Sequence, residues 1–214
     1  MDPVAPKTRA FRNKHKAGKS SGMSGVVYLA ILIFISADLV GISAAFALTL
    51  TWAHLFTVVI ALLYSNFIEY ALHRWVLHKP LLRGPYRTHT AIHHRLFTDR
   101  DMEMEEEEDL LDIMTPFSSV LVIYLIAAWA AGLFGILTFP SLGWTFFGVC
   151  MLYYILFELT HLGSHAPSNH WCFRIPLLSR GMALHRDHHD PRIMRTVNFN
   201  IVAPIFDVIF RTLH

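Results

Sequence analysis

The chain has 214 residues, of which 54% are apolar, and its mean hydropathy of +0.41 favours a small membrane bundle over a soluble unit. Two cysteines, Cys150 and Cys172, exclude a disulfide framework and a CxxC zinc pattern. The net charge is only +2, and no nucleic-acid partner is expected.

The first 25 residues are basic, and the stretch KTRAFRNKHKAGK carries six Lys or Arg among thirteen residues. Such a run could contact nucleic acid or acidic lipid head groups, but beside a membrane span it acts more simply as a positive-inside anchor. We therefore predict a basic cytoplasmic amino-terminal tail over residues 1–25. A single membrane-embedded domain is predicted over residues 26–214.

Two apolar blocks follow the basic segment, and each is long enough for two spans, since a span needs roughly 20 apolar residues. The first block divides near Leu50, and residues 140–143 (Pro-Ser-Leu-Gly) predict a turn that divides the second. The predicted spans are about 26–49, 53–72, 117–139 and 144–160.

With a cytoplasmic amino terminus, the second and fourth spans both end at the cytoplasmic side. The polar segments 73–115 and 161–214 then lie on that side as well. The first of them contains the acidic run EMEEEEDLLD at 103–112. Charge runs are commonly solvated surface, and docking of a basic reductase surface or of a cation is the alternative.

Ten of the fourteen histidines fall in four tight clusters. They are His73 and His78 in HRWVLH, His89, His93 and His94 in HTAIHH, His161 and His165 in HLGSH, and His185, His188 and His189 in HRDHH. Residues four apart share a helix face, so the two histidines of HLGSH can direct both imidazoles at one ion. Imidazole suits iron, zinc, copper and nickel, and ten candidate ligands imply at least two ions.

The clusters follow the ends of the second and fourth spans, so all ten histidines can converge at one membrane surface. A structural zinc site is usually four-coordinate and closed, and it does not need ten histidines. The predicted fold class is all-α, with four transmembrane helices arranged as two hairpins. A cytoplasmic helical cap carries a histidine-rich dimetal site.

The cluster order HRxxxH, HxxxHH, HxxxH, HxxHH, introduced by NFIEYALHR, resembles the fatty acid hydroxylase and sterol desaturase superfamily of membrane di-iron enzymes. The closing segment VNFNIVAPIFDVIFRTL is also similar to that family, and the resemblance covers roughly residues 66–213. The second cluster has three residues between its histidines where many members have two. This difference leaves open which of His89, His93 and His94 bind metal.

The resemblance implies two iron ions at the ten histidines, with dioxygen as co-substrate, and zinc can substitute in a recombinant preparation. It implies hydroxylation of a lipid C–H bond, most simply on a fatty acyl chain. Sterol or carotenoid substrates and a desaturase outcome are alternatives, because beta-carotene hydroxylases share related histidine boxes. The host membrane would be a bacterial inner membrane or the endoplasmic reticulum.

No haem-binding domain, flavin motif or GxGxxG element accompanies the histidines, so electrons are expected from a separate cytochrome b5-like or ferredoxin-like donor with its reductase. A metal-binding membrane transporter or sensor is the non-enzyme alternative. Transporters place ligand groups near the membrane midplane, whereas these histidines gather at one surface. A degenerate family member acting as a scaffold is disfavoured because every cluster is intact.

Four further residues are predicted to orient the histidines. Glu69 and Glu158 lie one helical turn before the first histidines of their clusters, where each carboxylate could accept an imidazole N–H. The alternative is a carboxylate that reaches the membrane interface. Asp187 could likewise orient a histidine or be a solvated charge. Asn198 could hydrogen-bond a ligand histidine or a metal-bound water, although turn formation is its favoured role.

Overall fold

The computed structural model describes residues 6–18, 22–47 and 50–214, and their secondary structure is helical apart from one isolated β-bridge between Thr98 and Asp101. The α-helices are α1 (Pro6–Ala17), α2 (Gly25–Ala47), α3 (Trp52–Ala71), α4 (Arg83–Tyr86), α5 (His94–Leu96), α6 (Leu110–Ile113), α7 (Phe117–Leu137), α8 (Pro140–Ser164), α9 (Pro176–His188) and α10 (Ile205–Ile209). Two π-helical turns, Leu72–Leu77 and Arg87–His93, extend α3 and join α4 to α5.

Within the described residues, four helices are long and apolar enough to cross a membrane: α2, α3 together with its π-helical extension, α7 and α8. This confirms the predicted all-α class with four spans. The second span continues to Leu77 and the fourth to Ser164, beyond the predicted ends at 72 and 160. The predicted first span ends at 49, but residues 48–49 lie outside the described part of the chain.

The turn predicted at residues 140–143 is wrong, because these residues form the first turn of α8. Proline is well tolerated at the first helical position, where its missing N–H has no intrahelical partner. Gly143 serves close packing instead, since an added Cβ would lie 2.9 Å from Gly135 Cα and 2.8 Å from the Ala131 carbonyl oxygen of α7. Small residues commonly allow membrane helices to approach in this way.

Helix α8 is the centre of the bundle and packs against α2, α3 and α7. Buried clusters join it to these neighbours through side chains such as Phe146, Met151 and Tyr154. Large apolar side chains, including Phe56 and Trp129, point outward and are more than 70% exposed. Helices that are apolar on both inner and outer faces are typical of a membrane bundle.

Helices α3 and α8 begin at one end of the bundle, and the histidine clusters lie at the other, where both helices end. There α9 packs on α8, and α10 packs on α3 through Phe67 and Phe206. The carboxyl-terminal segment therefore returns to the bundle beside the histidines. The prediction of a single domain over residues 26–214 stays a prediction.

The segment predicted as a tail contains α1, which packs against the acidic run instead of projecting from the bundle. Lys16 Nζ lies 3.2 Å from Glu106 Oε2 and 3.4 Å from Asp109 Oδ1, and His15 Nε2 lies 3.0 Å from Asp112 Oδ1. The acidic run is thus largely engaged by the basic residues of the same chain. Sequence reasoning treated the two runs separately and missed this pairing.

Candidate metal centre

All ten predicted histidines come together in two adjacent groups of five, and within each group the candidate ligand atoms lie within 4.8 Å of one another. Group A consists of His73, His78, His89, His94 and His188, and group B consists of His93, His161, His165, His185 and His189. All are buried except His89, which is partly exposed. The groups touch where the rings of His94 and His189 stack, with centroids 4.1 Å apart.

Group A is built mainly from histidines five residues apart. His73 and His78 belong to one pair, and His89 and His94 to the other. In each pair the second residue donates its backbone N–H to the carbonyl of the first, which is the π-helical pattern. An α-helix would rotate the second imidazole away, so the wider turn keeps both on one face. Single π-helical turns are rare and are frequent at functional sites.

Group B uses regular α-helical spacing. His161 and His165 lie four residues apart at the end of α8, and His185 and His189 lie four apart at the end of α9. The Nε2 atoms of the second pair are 3.0 Å apart. The two histidines of α8 belong to the same group, which confirms the shared face predicted for them, and the same spacing accounts for the α9 pair.

The second cluster contributes to both groups. His93 joins group B, whereas His89 and His94 join group A. Adjacent residues on a helix point about 100° apart, so His93 and His94 face different neighbours. All three histidines of HTAIHH therefore lie in the site, which the sequence had left open.

In most of the ten, Nδ1 faces an oxygen atom that can accept its proton. Five such acceptors are backbone carbonyls: Phe199 for His73 (2.5 Å), Asp112 for His93 (2.9 Å), Met102 for His165 (2.9 Å), Val197 for His188 (2.8 Å) and Phe97 for His189 (2.6 Å). His78 Nδ1 lies 3.2 Å from the hydroxyl of Thr90, which itself donates to the Leu77 carbonyl. A carbonyl can only accept, so the proton sits on Nδ1 and Nε2 keeps its lone pair.

The Nε2 atoms with free lone pairs point at one another. His188 Nε2 lies 2.9 Å from His78 Nε2, and His93 Nε2 lies 3.2 Å from His189 Nε2. Lone pairs at these distances repel unless a cation lies between them. Ligand atoms about 2.1 Å from one ion are separated by about 3.0 Å in octahedral and about 3.4 Å in tetrahedral geometry. The donor set therefore fits a metal ion in each group.

Burial keeps the imidazoles outside the membrane spans in the neutral form that a metal needs. Desolvation lowers the pKa of His93 to about 4. It also lowers the pKa of the other seven, which are His78, His89, His94, His165, His185, His188 and His189.

An apolar cavity of about 560 Å³ ends on both groups. His73 and His89 of group A and His93 and His161 of group B form part of its wall. Most of the remaining wall is apolar and comes from α3, α6, α7 and α8. Cys150 also lines it and lies three turns of α8 before His161, roughly 16 Å along the axis. The cavity thus reaches from the histidines to about the middle of a hydrocarbon layer that is about 30 Å thick.

Comparison with known protein families agrees with this geometry, since the model of the family described as "Fatty acid hydroxylase" matches residues 57–212. The chain belongs to the fatty acid hydroxylase family. Its match includes most of α3, all ten histidines and α10, but not α1 or α2. No curated protein and no solved structure matches the chain.

The role predicted for Glu69 in this family member needs correction. Glu69 accepts backbone N–H groups from Ile201 (2.5 Å) and Val202 (3.2 Å), the hydroxyl of Tyr153 (2.5 Å) and the amide of Asn200 (3.0 Å). The imidazole N–H of His73 is bonded to the carbonyl of Phe199 instead, so Glu69 affects His73 only indirectly. It holds the carboxyl-terminal segment that supplies that carbonyl.

Glu158 does not receive the predicted imidazole hydrogen bond either. Its Oε1 accepts from the hydroxyl of Tyr154 (2.7 Å) and the backbone N–H of Thr115 (3.3 Å). Its Oε2 and the Nδ1 of His161 are both buried without a hydrogen-bond partner among the described residues. Glu158 therefore ties α8 to the segment that precedes α7.

For Asp187 and Asn198 the structure agrees with the solvated charge and the turn residue that the sequence also offered. The side chain of Asp187 is exposed, because it occupies the solvent face of α9 opposite the histidines. Asn198 is buried in the left-handed conformation (φ 54°), and its side chain bonds Leu184 O and the N–H of His214. It is a turn residue, and the turn directs the carbonyls of its two neighbours at His188 and His73.

Sequence reasoning missed the groups that do orient the imidazoles. Most are backbone carbonyls, which every residue carries, so no residue type marks them. Thr90, inside HTAIHH, is the side chain that could have been found. It lies on the same turn as the cluster, and a hydroxyl there is a natural partner for an imidazole N–H.

Proposed function

We propose that this protein hydroxylates a lipid C–H bond, most simply on a fatty acyl chain, with two iron ions held by groups A and B and dioxygen as co-substrate. The cavity that ends on both groups carries the proposal. Its volume of about 560 Å³ lies within the range of about 300–1,000 Å³ of ligand pockets, and its wall is mostly apolar. A lipid chain inside it would bring a C–H bond beside histidines of both groups.

The bound ions would supply dioxygen activation and the removal of hydrogen from an unactivated carbon. The chain's own residues do the rest: the carbonyls of Val197 and Phe199, among others, fix imidazole tautomers and orientations. The apolar wall holds the substrate and excludes water from the reacting carbon. Each turnover converts R–H, O₂, two electrons and two protons into R–OH and water.

An anionic head group on the substrate is supported by charges at the mouth of the cavity. Leu82, Pro85 and Thr88 line it, and the neighbouring Lys79, Arg83 and Arg87 are exposed. Cations at this point would attract a carboxylate or phosphate and leave the chain to enter the cavity. This arrangement favours an acyl lipid over a neutral sterol or carotenoid.

The two electrons would come from a separate cytochrome b5-like or ferredoxin-like protein with its reductase. We also propose that the end of the bundle carrying the histidines faces the cytoplasm, where such donors are found. The basic residues of α1 lie at this end, which agrees with the positive-inside rule.

The test is lipid analysis of cells that express the protein or its His188→Ala variant. A gain of one oxygen on an acyl chain, absent with the variant, supports hydroxylation. Loss of two hydrogens would replace it with desaturation at the same site. The proposal would be overturned by two results together. The lipids of the cells would be unchanged, and the purified protein with two bound irons would consume no oxygen when reductant and acyl lipid are added. A metal transporter or sensor would then be favoured.

A further inference from the structure

Helix α1 is clamped onto the segment 97–112 by a buried arginine. Arg12 is 2% exposed, and its Nη1 lies 3.4 Å from Asp101 Oδ2 and 3.3 Å from Glu105 Oε1. Its Nη2 donates to the carbonyl of Glu103 at 3.3 Å, and its guanidinium lies over the ring of Phe97, 5.1 Å from the centroid. A buried arginine with several partners fixes geometry more tightly than an exposed ion pair does.

The clamped segment is also the part of the chain that supports group B. The carbonyls of Phe97, Met102 and Asp112 accept the Nδ1 protons of His189, His165 and His93. The ring of Phe97 further contacts the imidazole of His165, with centroids 4.7 Å apart. One face of the segment thus meets Arg12, and the other holds three of the five imidazoles of group B.

Group A takes its acceptors from elsewhere. The carbonyls of Val197 and Phe199 and the hydroxyl of Thr90 serve His188, His73 and His78. None of these acceptors belongs to the segment that α1 covers. Helix α1 also packs on α5, which carries His94 of group A, with Arg95 over the ring of Phe11. The contacts described for Arg12 itself all lie in the segment 97–112, so their loss should weaken group B more than group A.

We propose that α1 is a positioning helix for the metal ion of group B and that Arg12 is its central positioning residue. Helix α1 lies outside the residues matched by the family, so this would be a feature of the chain added to the family domain. The inference rests on the proposed function only in requiring that group B binds a metal. It does not require that the protein hydroxylates a lipid.

The test is a cobalt titration of the purified, metal-free chain, followed by absorption spectroscopy and metal analysis. We expect Arg12→Ala to weaken one of two binding events about 10–100-fold, the usual effect of losing support behind ligands. Lys14→Ala, which removes an exposed cation from the same helix, is the matched control and should leave both events unchanged.

Double variants identify the affected ion. Arg12→Ala combined with His188→Ala, which damages group A, should bind no cobalt tightly, whereas Arg12→Ala combined with His185→Ala should keep the group A ion. Arg12→Lys is a conservative variant in case Arg12→Ala misfolds. It keeps the positive charge but cannot reach all the partners of the guanidinium, so we expect an intermediate loss of affinity at group B. Equal weakening of both ions, or of neither, would overturn the proposal even if lipid hydroxylation is found.

Discussion

Groups A and B each gather five histidines, but the chain builds them in different ways. Group A depends on π-helical turns, which bring histidines five apart onto one face, and on carbonyls of the carboxyl-terminal segment. Group B depends on ordinary helical spacing at the ends of α8 and α9 and on carbonyls of the segment under α1. The groups share α9 and the HTAIHH cluster, but different segments accept the protons of their imidazoles. We therefore expect that the support of each group can be disturbed with less effect on the other.

Two buried carboxylates hold the segment that supports group A, as we propose that α1 holds the segment that supports group B. Asp207 accepts the backbone N–H groups of Phe199 (2.9 Å) and Asn200 (2.7 Å), and Glu69 accepts those of the next two residues. Hydrogen bonds to charged acceptors are the stronger ones. The loop that offers its carbonyls to group A is thus fixed from two sides.

Loss of one imidazole from either group should have the largest effect. His188→Ala in group A and His93→Ala in group B should each reduce hydroxylation more than 100-fold, because ligands that act as a unit are not replaceable one at a time. Metal analysis of each purified variant should show the loss of one ion, while protease protection shows the four spans still inserted. Full activity in either variant would contradict the ligand assignment.

The ligands were predictable from the sequence because histidines are scarce, and their clustering at the ends of two apolar spans has a chemical meaning. The four spans were predictable for a similar reason, since their length and composition suffice. The π-helical turns were not predictable, because residues 72–77 have the composition of an ordinary helix. Their register is set by what the imidazoles meet after folding.

The support around the ligands was the least predictable part. Proximity in sequence suggested that Glu69 would bond His73, but the actual acceptor is a carbonyl more than a hundred residues away. The same limit applies to α1, which the sequence placed in a basic tail. Its contacts with the acidic run depend on the tertiary fold, which no local pattern encodes.

A substitution in α9 should weaken group A more than group B. An added Cβ at Gly181 would lie 2.0 Å from the carbonyl oxygen of Ile201, so Gly181→Ala must shift either α9 or the segment that carries the carbonyls of Val197 and Phe199. Group A depends on both elements, because α9 carries His188 and the segment carries its two carbonyl acceptors. Cobalt titration should show about 10–100-fold weaker binding of one ion. Double variants identify that ion. Gly181→Ala with His185→Ala should bind no cobalt tightly, whereas Gly181→Ala with His188→Ala should keep the group B ion.

The control for this substitution is Gly132→Ala in α7, where an added Cβ meets nothing within 4 Å. It should leave both ions in place and stabilise the helix slightly. Together with Arg12→Ala, the Gly181→Ala variant gives a reciprocal pair, one for each group. If both variants weaken the same ion, the supports of the two groups are not separate.

Filling the cavity should change which substrates are accepted without weakening metal binding at group A or group B. Ala127 lines the membrane half of the cavity, so Ala127→Phe should lower activity on long acyl chains about tenfold or more, as expected when a pocket is made too short, while shorter chains are still accepted. Ala128→Phe, on the exposed face of α7, is the matched control. Activity on a series of chain lengths, with metal content alongside, makes the measurement.

Acid should act on both groups alike. Each contains four histidines outside the spans whose pKa burial lowers, to about 4 for His93, from the ordinary value of 6.5. Above pH 6.5 both the folded and the unfolded chain hold them neutral. Below it the unfolded chain takes up protons that the folded chain refuses, so the metal-free protein loses stability as the pH falls from 6.5 towards 4.

The measurement is the thermal midpoint of the metal-free protein in detergent between pH 8 and pH 5. His185→Ala and His188→Ala should each reduce the pH dependence by a similar amount, at most about 1.4 kcal/mol per pH unit for one histidine. Bound metal occupies the lone pairs, so the loaded protein should resist acid to a lower pH. If only one of the two variants reduced the pH dependence, the histidine removed in the other variant would already be protonated in the folded chain. That outcome would contradict the neutral imidazoles inferred from the hydrogen bonds of its group.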